Sequence, residues 1–310
     1  MSLLTLAARH GRWLLIAGLV VGILLPALAE RMAGAIVPFL FVMLCVAALR
    51  EGPRAALPGP SQLPRALAAT VTLQAALPLA AGAALWATGM LEAPLATAAV
   101  LALAAAPITG TPGLAVMSGA DAGAALRQLA LGTALLPLTA APVFALLPAF
   151  PDPLAVAGGA ARLLGLVALA GLAAALLRRV APGLTTPAAR PALDGVMALA
   201  MSLVVIGLMS ALGPAALTAP GAVLAALALA LALYAAQTAG AWRVARAALP
   251  PSEARALAIA AGNRNLALFL AAVPPETAAP LMLFVGCYQI PMYLTPLLLP
   301  RLTGAGATPR

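Results

Sequence analysis

Ala258-Ile259-Ala260-Ala261-Gly262-Asn263-Arg264-Asn265-Leu266-Ala267-Leu268-Phe269-Leu270 is an apolar run broken at its centre by an arginine and two asparagines. An earlier apolar run is broken in the same way at Pro107-Ile108-Thr109-Gly110-Thr111-Pro112-Gly113. The breaks fall at matching places in the two halves of the chain. Two interrupted hydrophobic helices so placed are the mark of an inverted-repeat transporter with its site at the breaks. Proline removes a backbone donor and glycine permits unusual dihedrals, so Pro107, Gly110, Pro112, Gly113 and Gly262 are the predicted helix breaks. An opened helix is tolerated at membrane depth only where it lines a cavity or is covered by protein. Its positive N-terminal end suits anions, and its freed carbonyls suit cations.

The surrounding composition agrees with a bilayer setting. Of 310 residues, 64% are hydrophobic and 8% charged, with a mean hydropathy of +1.08. That apolar content exceeds the needs of a soluble core and predicts a polytopic, all-α membrane protein. Ten spans are predicted, at 13–30, 35–49, 66–89, 94–119, 123–148, 154–180, 192–212, 220–243, 254–273 and 277–300. Most are near the ~20 residues that cross ~30 Å of hydrocarbon. Five spans on each side of residue 151 give two inverted five-helix repeats, 1–150 and 151–310, with the fourth and ninth helices broken and crossed. An odd number per half forces the opposite orientation. Arg9, Arg12 and Ala27-Leu28-Ala29 imitate a signal peptide around the first span, but its removal would break this symmetry, so it is read as a span.

Charge orients the chain. All 17 basic residues are arginine. With the N-terminus in the cytoplasm, 14 of them fall inside, among them Arg50, Arg65, Arg127, Arg178, Arg179, Arg246, Arg255 and Arg310; Arg31 falls outside, and Arg162 and Arg264 lie in or near the membrane. Glu30, Glu92, Asp152 and Glu276 occupy outer loops. This positive-inside pattern predicts a multi-pass protein of the cell (inner) membrane with both termini cytoplasmic, and it accounts for the net charge of +9 without nucleic acid. Cys45 and Cys287 are isolated in apolar runs and His10 precedes the first span, so no metal site, disulfide or cofactor is expected. No embedded carboxylate pair, histidine or Ser-His arrangement supports a lipid-modifying enzyme.

Thr109, Thr111, Asn263, Arg264 and Asn265 are the candidate substrate-binding residues, because they place donors and acceptors at the level of the breaks. An arginine at a helix centre costs ~2.5–3.5 kcal/mol on insertion scales. Several readings are open for Arg264: a structural ion pair, a residue at the surface if the span boundary lies elsewhere, a bidentate holder of a carboxylate or sulfonate, or a fixed charge standing where another transporter keeps a metal cation. Gln74, Thr133 and Gln289 are candidate ion-binding or core polar residues, with helix–helix glue as the alternative. Asp194 is read as an interfacial carboxylate near Arg190, and Asp121 as a solvated end residue. Arg162 is read as a possible interface anchor.

These motifs resemble the bile acid:sodium symporter family, within the wider group that includes auxin efflux carriers. Gln74-x-x-x-Pro78 is similar to that family's third-helix Gln-x-x-x-Pro. Pro107 to Leu114 with Gly119-x-Asp121 is similar to its fourth-helix segment, Gly262-x-x-Asn265 to its ninth-helix Gly-x-x-Asn, and Tyr288-Gln289 to an aromatic-Gln pair in its tenth. The resemblance implies alternating access, with a panel of spans 1, 2, 6 and 7 rocking against a core that contains spans 4 and 9. It also implies an organic anion as substrate. The departures are specific: the family's Ser-Asn falls on Pro112-Gly113, its sodium-binding Glu on Ala260 and its Gln on Arg264. A cation would lose an anionic ligand and meet fixed repulsion, so at least one conventional sodium site is expected to be lost. The sequence therefore predicts a secondary transporter of a small organic anion in the lipid bilayer, with a sodium-coupled symporter as the alternative.

Overall fold

The computed structural model describes residues 3–55, 59–60, 62–150, 152–273 and 278–303. The predicted outer loop 274–277 with Glu276, together with Arg310 and the side chains of Arg12, Glu51 and Arg54, lies outside the described residues. The described chain is helical. Its helices are α1 (Leu3–Arg9), α2 (Gly11–Leu24), α3 (Pro26–Ala33), α4 (Ile36–Ala55), α5 (Leu63–Ala87), α6 (Pro94–Ala104), α7 (Thr111–Met117) and α8 (Ala122–Phe144). The second half continues with α9 (Pro153–Val180), α10 (Arg190–Leu208), α11 (Leu212–Thr218), α12 (Pro220–Ala245), α13 (Pro251–Gly262), α14 (Ala267–Leu270), α15 (Met282–Tyr293) and α16 (Thr295–Thr303).

Five helical stretches are long and apolar enough to cross a bilayer: α5, α8, α9, the stretch Pro187–Thr218 that holds α10 and α11, and α12. Bent pairs raise the number to 8 if each is one crossing: α1 with α2 at 87°, α3 with α4 at 63°, and α15 with α16 at 70°. The two interrupted helices, α6–α7 and α13–α14, stand outside this count. The predicted span 13–30 is not one helix. Leu25 leaves helical dihedrals (φ −120°, ψ 73°) and Pro26 opens α3, because proline is accommodated in a first turn and not in a helix interior.

The helices pack in two groups. One gathers α1, α2, α3 and α4 along α10. Its backbones meet closely: a Cβ on Gly22 would lie 2.7 Å from Met209 Cβ, and one on Gly207 would lie 2.8 Å from the Met32 carbonyl carbon. Small residues are what permit such approach where the surrounding lipid supplies no hydrophobic drive. In the other group α12 packs on α13 and α15, and α8 packs on α5, α7 and α13. α9 lies against both α4 and α8.

Local chemistry sets the helix ends that matter. Asp121 caps α8 by accepting from Ala124 N at 2.9 Å, and Asp152 caps α9 by accepting from Ala155 N at 2.8 Å. Asp121 is therefore a helix cap rather than merely a solvated end residue. Asp194 pairs with Arg50 at 2.9 Å, not with its sequence neighbour Arg190. In α5 the helix widens to a π turn over Thr72–Ala76. Pro78 cannot donate to the Gln74 carbonyl four residues back, and the wider turn accommodates that loss.

Candidate functional site

The two breaks cross. α6 ends at Ala104, and Ala105 turns extended (φ −63°, ψ 150°). α13 ends at Gly262, and Asn263 leaves the helix (φ −103°, ψ 86°). The unwound segments pair antiparallel as an isolated bridge between Pro107 and Arg264. Ile108 N donates to Asn263 O at 2.9 Å, and Asn265 N donates to Ala106 O at 2.7 Å. Each break thus satisfies backbone groups of the other, which is what irregular backbone inside a bilayer requires. Positive φ occurs, among the described residues, only at Gly89 and Gly119. The openings therefore do not depend on glycine dihedrals at Gly110, Gly113 or Gly262. Pro107 and Pro112 lack the donors, and Gly262 serves close packing: a Cβ there would press on Thr238 Oγ1 and on the Tyr234 ring.

Arg264 sits at the centre of the crossing and is 1% exposed. Its Nε donates to Gln237 Oε1 at 3.0 Å and to Ala261 O at 2.7 Å. Nη1 donates to Ala105 O at 2.8 Å, and Nη2 reaches Leu73 O at 3.4 Å. Leu73 lies in the π turn of α5, so the distorted third helix, both broken helices and α12 all contribute an oxygen. Every acceptor is neutral. Among the described residues the one ion pair is Arg50–Asp194, so Arg264 has no carboxylate counter-ion. The guanidinium is solvated by a cage of carbonyl oxygens, as a metal cation would be.

A second tier of polar side chains holds the cage. Gln237 Nε2 donates to Tyr288 OH at 2.9 Å, and Tyr288 OH donates to Gly262 O at 3.1 Å. Tyr234 OH donates to Thr295 Oγ1 at 2.9 Å, and Thr295 Oγ1 lies 2.9 Å from Asn263 Oδ1. Asn263 Nδ2 returns to Ile259 O at 2.9 Å. Gln237, Tyr234 and Thr295 escaped the sequence reading. The available signal was the spacing of Tyr234, Gln237 and Thr238 on one face of an otherwise apolar helix.

The remaining candidates divide by location. Thr109, Arg264, Asn265 and Gln289 border a cavity of about 30 Å³ at the crossing. Thr109 Oγ1 is buried without a partner, whereas Thr111 Oγ1 donates to Ile108 O at 2.6 Å. Gln289 Nε2 donates to Val285 O at 3.2 Å. Gln74 is fully buried, its Oε1 accepting from Thr139 Oγ1 at 3.2 Å and its Nε2 unpartnered.

Thr109 also borders a larger cavity of about 560 Å³ between α4, α8 and α9. Its wall is almost wholly apolar, with Leu44, Leu129, Thr133, Ala134 and Val167 along it and Arg178 and Arg179 at one end. From Val167 to Arg179 it follows α9 for about 18 Å of helix rise. Arg178 Nη2 donates to Ala48 O at 3.1 Å and to Leu49 O, tying α9 to α4. The opposite end of α9 packs against aromatic rings. Phe144 stacks on Phe150 at 4.1 Å and meets Phe269 edge-on at 5.6 Å. Gly159 of α9 lies against the Phe144 and Phe150 rings, and Arg162 Nε donates to Ala272 O at 2.9 Å. Arg162 is therefore a bond from α9 to the end of the second broken helix.

Compared with known protein-family models and with characterised proteins, the chain matches none.

Proposed function

We propose that this chain is a secondary transporter or facilitator of a small amphipathic organic anion, built from ten spans in two inverted repeats and working by alternating access. One observation carries the reading: two unwound helices cross beside an apolar cavity of about 560 Å³, with Thr109 common to both. A cavity of that size suits a drug-sized molecule. Its apolar walls fit an apolar body, while the arginine end and the uncompensated charge of Arg264 favour a negative group. By the positive-inside argument the face carrying Arg178 and Arg179 is the cytoplasmic one, and on this reading the conformation is the inward-facing one, with the Phe144–Phe150–Phe269 cluster on the outer side.

Arg264 is not the direct anion clamp in this conformation, since its donors are spent on carbonyls. It acts as a resident cation that ties the two breaks together and sets a positive potential at the crossing, next to Thr109 where the large cavity meets it. Sodium is then unnecessary for binding. The test is calorimetry of the purified protein against a panel of carboxylates and sulfonates, in sodium and in choline buffer. The reading expects a bound anion whose affinity is the same in both. An affinity that collapses in choline would establish the sodium-coupled alternative. Failure of every anion to bind, together with neutral solutes that do bind, would overturn the anion assignment.

A further inference from the structure

A second polar cavity, of about 110 Å³, lies apart from the transport cavity. Arg65 of α5, Arg127 and Gln128 of α8, and Glu253 of α13 border it, with Leu249 and Leu257 as its apolar part. It uses a different face of α8: the transport cavity takes Leu126, Leu129, Ala130 and Thr133, whereas this one takes Ala124, Arg127 and Gln128. Neither arginine forms an ion pair among the described residues, although the Asp121 carboxylate and the Arg127 guanidinium flank the same point beside Gly123. Among the described residues the one ion pair is elsewhere, so Arg65, Arg127 and Glu253 share the cavity unpaired. Three helices begin here, at Leu63, Ala122 and Pro251; the start of α8 is capped by the Asp121 carboxylate, and the N-terminal ends of α5 and α13 add to the two guanidinium charges.

Acceptors complete the arrangement. Gln128 is 5% exposed, and its Nε2 donates to Thr70 Oγ1 at 2.9 Å. Among the described residues its Oε1 receives no hydrogen bond, and with Glu253 it offers acceptors in the cavity that the two arginines border. A site with two guanidiniums, one carboxylate and one amide oxygen calls for a ligand with both an oxyanion and N–H donors. On the positive-inside reading the cavity lies on the arginine-rich face, at helix ends where phospholipid headgroups would sit.

We propose that this cavity binds the headgroup of a phospholipid carrying a primary ammonium. Arg65 and Arg127 hold the phosphodiester oxygens, and Glu253 with Gln128 Oε1 accepts from the ammonium. The lipid bridges α5, α8 and α13, and so steadies the first halves of the third, fifth and ninth spans against one another.

The full-length protein in detergent is melted with dihexanoyl phosphatidylethanolamine, dihexanoyl phosphatidylcholine or inorganic phosphate, each as a titration. Phosphatidylethanolamine should raise the melting temperature saturably, at a concentration about tenfold or more below that needed by the other two. The double variant Arg65→Lys, Arg127→Lys keeps charge and loses bidentate geometry. It should need about tenfold more phosphatidylethanolamine for the same shift. Glu253→Gln should erase the preference over phosphatidylcholine, whose quaternary ammonium has no N–H. Inorganic phosphate matching the lipid would mean a site for a free oxyanion and would overturn the lipid assignment. So would phosphatidylcholine matching phosphatidylethanolamine on the wild type, or a lysine double variant with unchanged response. If a variant does not fold, the wild type decides alone by native mass spectrometry. Delipidated protein offered the two lipids in equal amounts must retain phosphatidylethanolamine, and equal retention refutes the proposal.

Discussion

Replacing Arg264 with Ala removes the cation from its cage and leaves a hole lined by oxygens. Three short bonds disappear, to Ala261 O, Ala105 O and Gln237 Oε1, along with the longer one to Leu73 O. Each buried acceptor left without a donor costs about 1–3 kcal/mol. Three at the low end give a destabilisation of about 3 kcal/mol, which also allows for the relief of the guanidinium's own desolvation. For a domain of this size that corresponds to a drop of several degrees, at roughly 2–4 °C per kcal/mol. The oxygens remain, so a small cation can refill the hole. A ligand at 100 times its Kd returns about 2.7 kcal/mol, close to the whole loss. The assay is thermal melting of wild type and variant in choline, sodium and guanidinium chloride at matched, non-denaturing ionic strength. Wild type should melt alike in all three, and the variant should be weakest in choline and recover in sodium or guanidinium. A variant as stable as wild type in choline, or one that no cation rescues, would refute the built-in-cation argument.

Three further outcomes are expected. Gly262→Ala, whose methyl would press on Thr238 Oγ1 and the Tyr234 ring, should lose about 1–3 kcal/mol by overpacking; melting and transport assays should fall together, and a neutral result would mean that α12 yields freely. Ala130→Trp should fill part of the 560 Å³ cavity and abolish anion binding by calorimetry while leaving the melt near wild type. Cysteine-accessibility labelling should find the 181–190 loop and both termini cytoplasmic and residues 90–93 external; termini on opposite faces would overturn the ten-span arrangement.

The breaks were legible because polar residues in an apolar run have few other reasons to be there, and Pro107 and Pro112 each remove a backbone donor. The all-helical class followed from composition for the same reason. The partner of Arg264 was not legible. Gln237 is a single amide in an apolar helix, and only the packing shows that its side of α12 faces the crossing. The division of the first predicted span was hidden too, since Leu25 and Pro26 lie in unbroken apolar sequence and a proline can either kink a helix or start one. Asp194 illustrates a general failure of local charge reading: Arg190 is near in sequence, but the close packing of α10 on α4 brings Arg50 instead. The π turn around Gln74 was foreshadowed by Pro78, yet only the structure connects Leu73 O to the guanidinium.

A cage filled by the protein's own side chain also has an energetic consequence for turnover. In an ion-coupled carrier the cage is loaded on one side and emptied on the other, and each tenfold ion gradient contributes about 1.4 kcal/mol per ion to substrate accumulation. Arg264 is covalently attached and crosses nothing, so it stabilises the crossing equally in every state that preserves its four oxygens. A ligand with equal affinity for two conformations shifts neither. Under the transport reading, the anion's own gradient is then the only driving force at this site. Proteoliposomes loaded with the anion should exchange it for labelled anion outside, but an inward sodium gradient should not drive labelled anion above equilibrium. Restoring a carboxylate and removing the fixed charge, by Ala260→Glu with Arg264→Gln, is the change that could introduce sodium dependence, with Pro112-Gly113 still lacking side-chain ligands. Sodium-driven accumulation by the wild type would show that a mobile cation binds elsewhere in the crossing and that Arg264 only braces it.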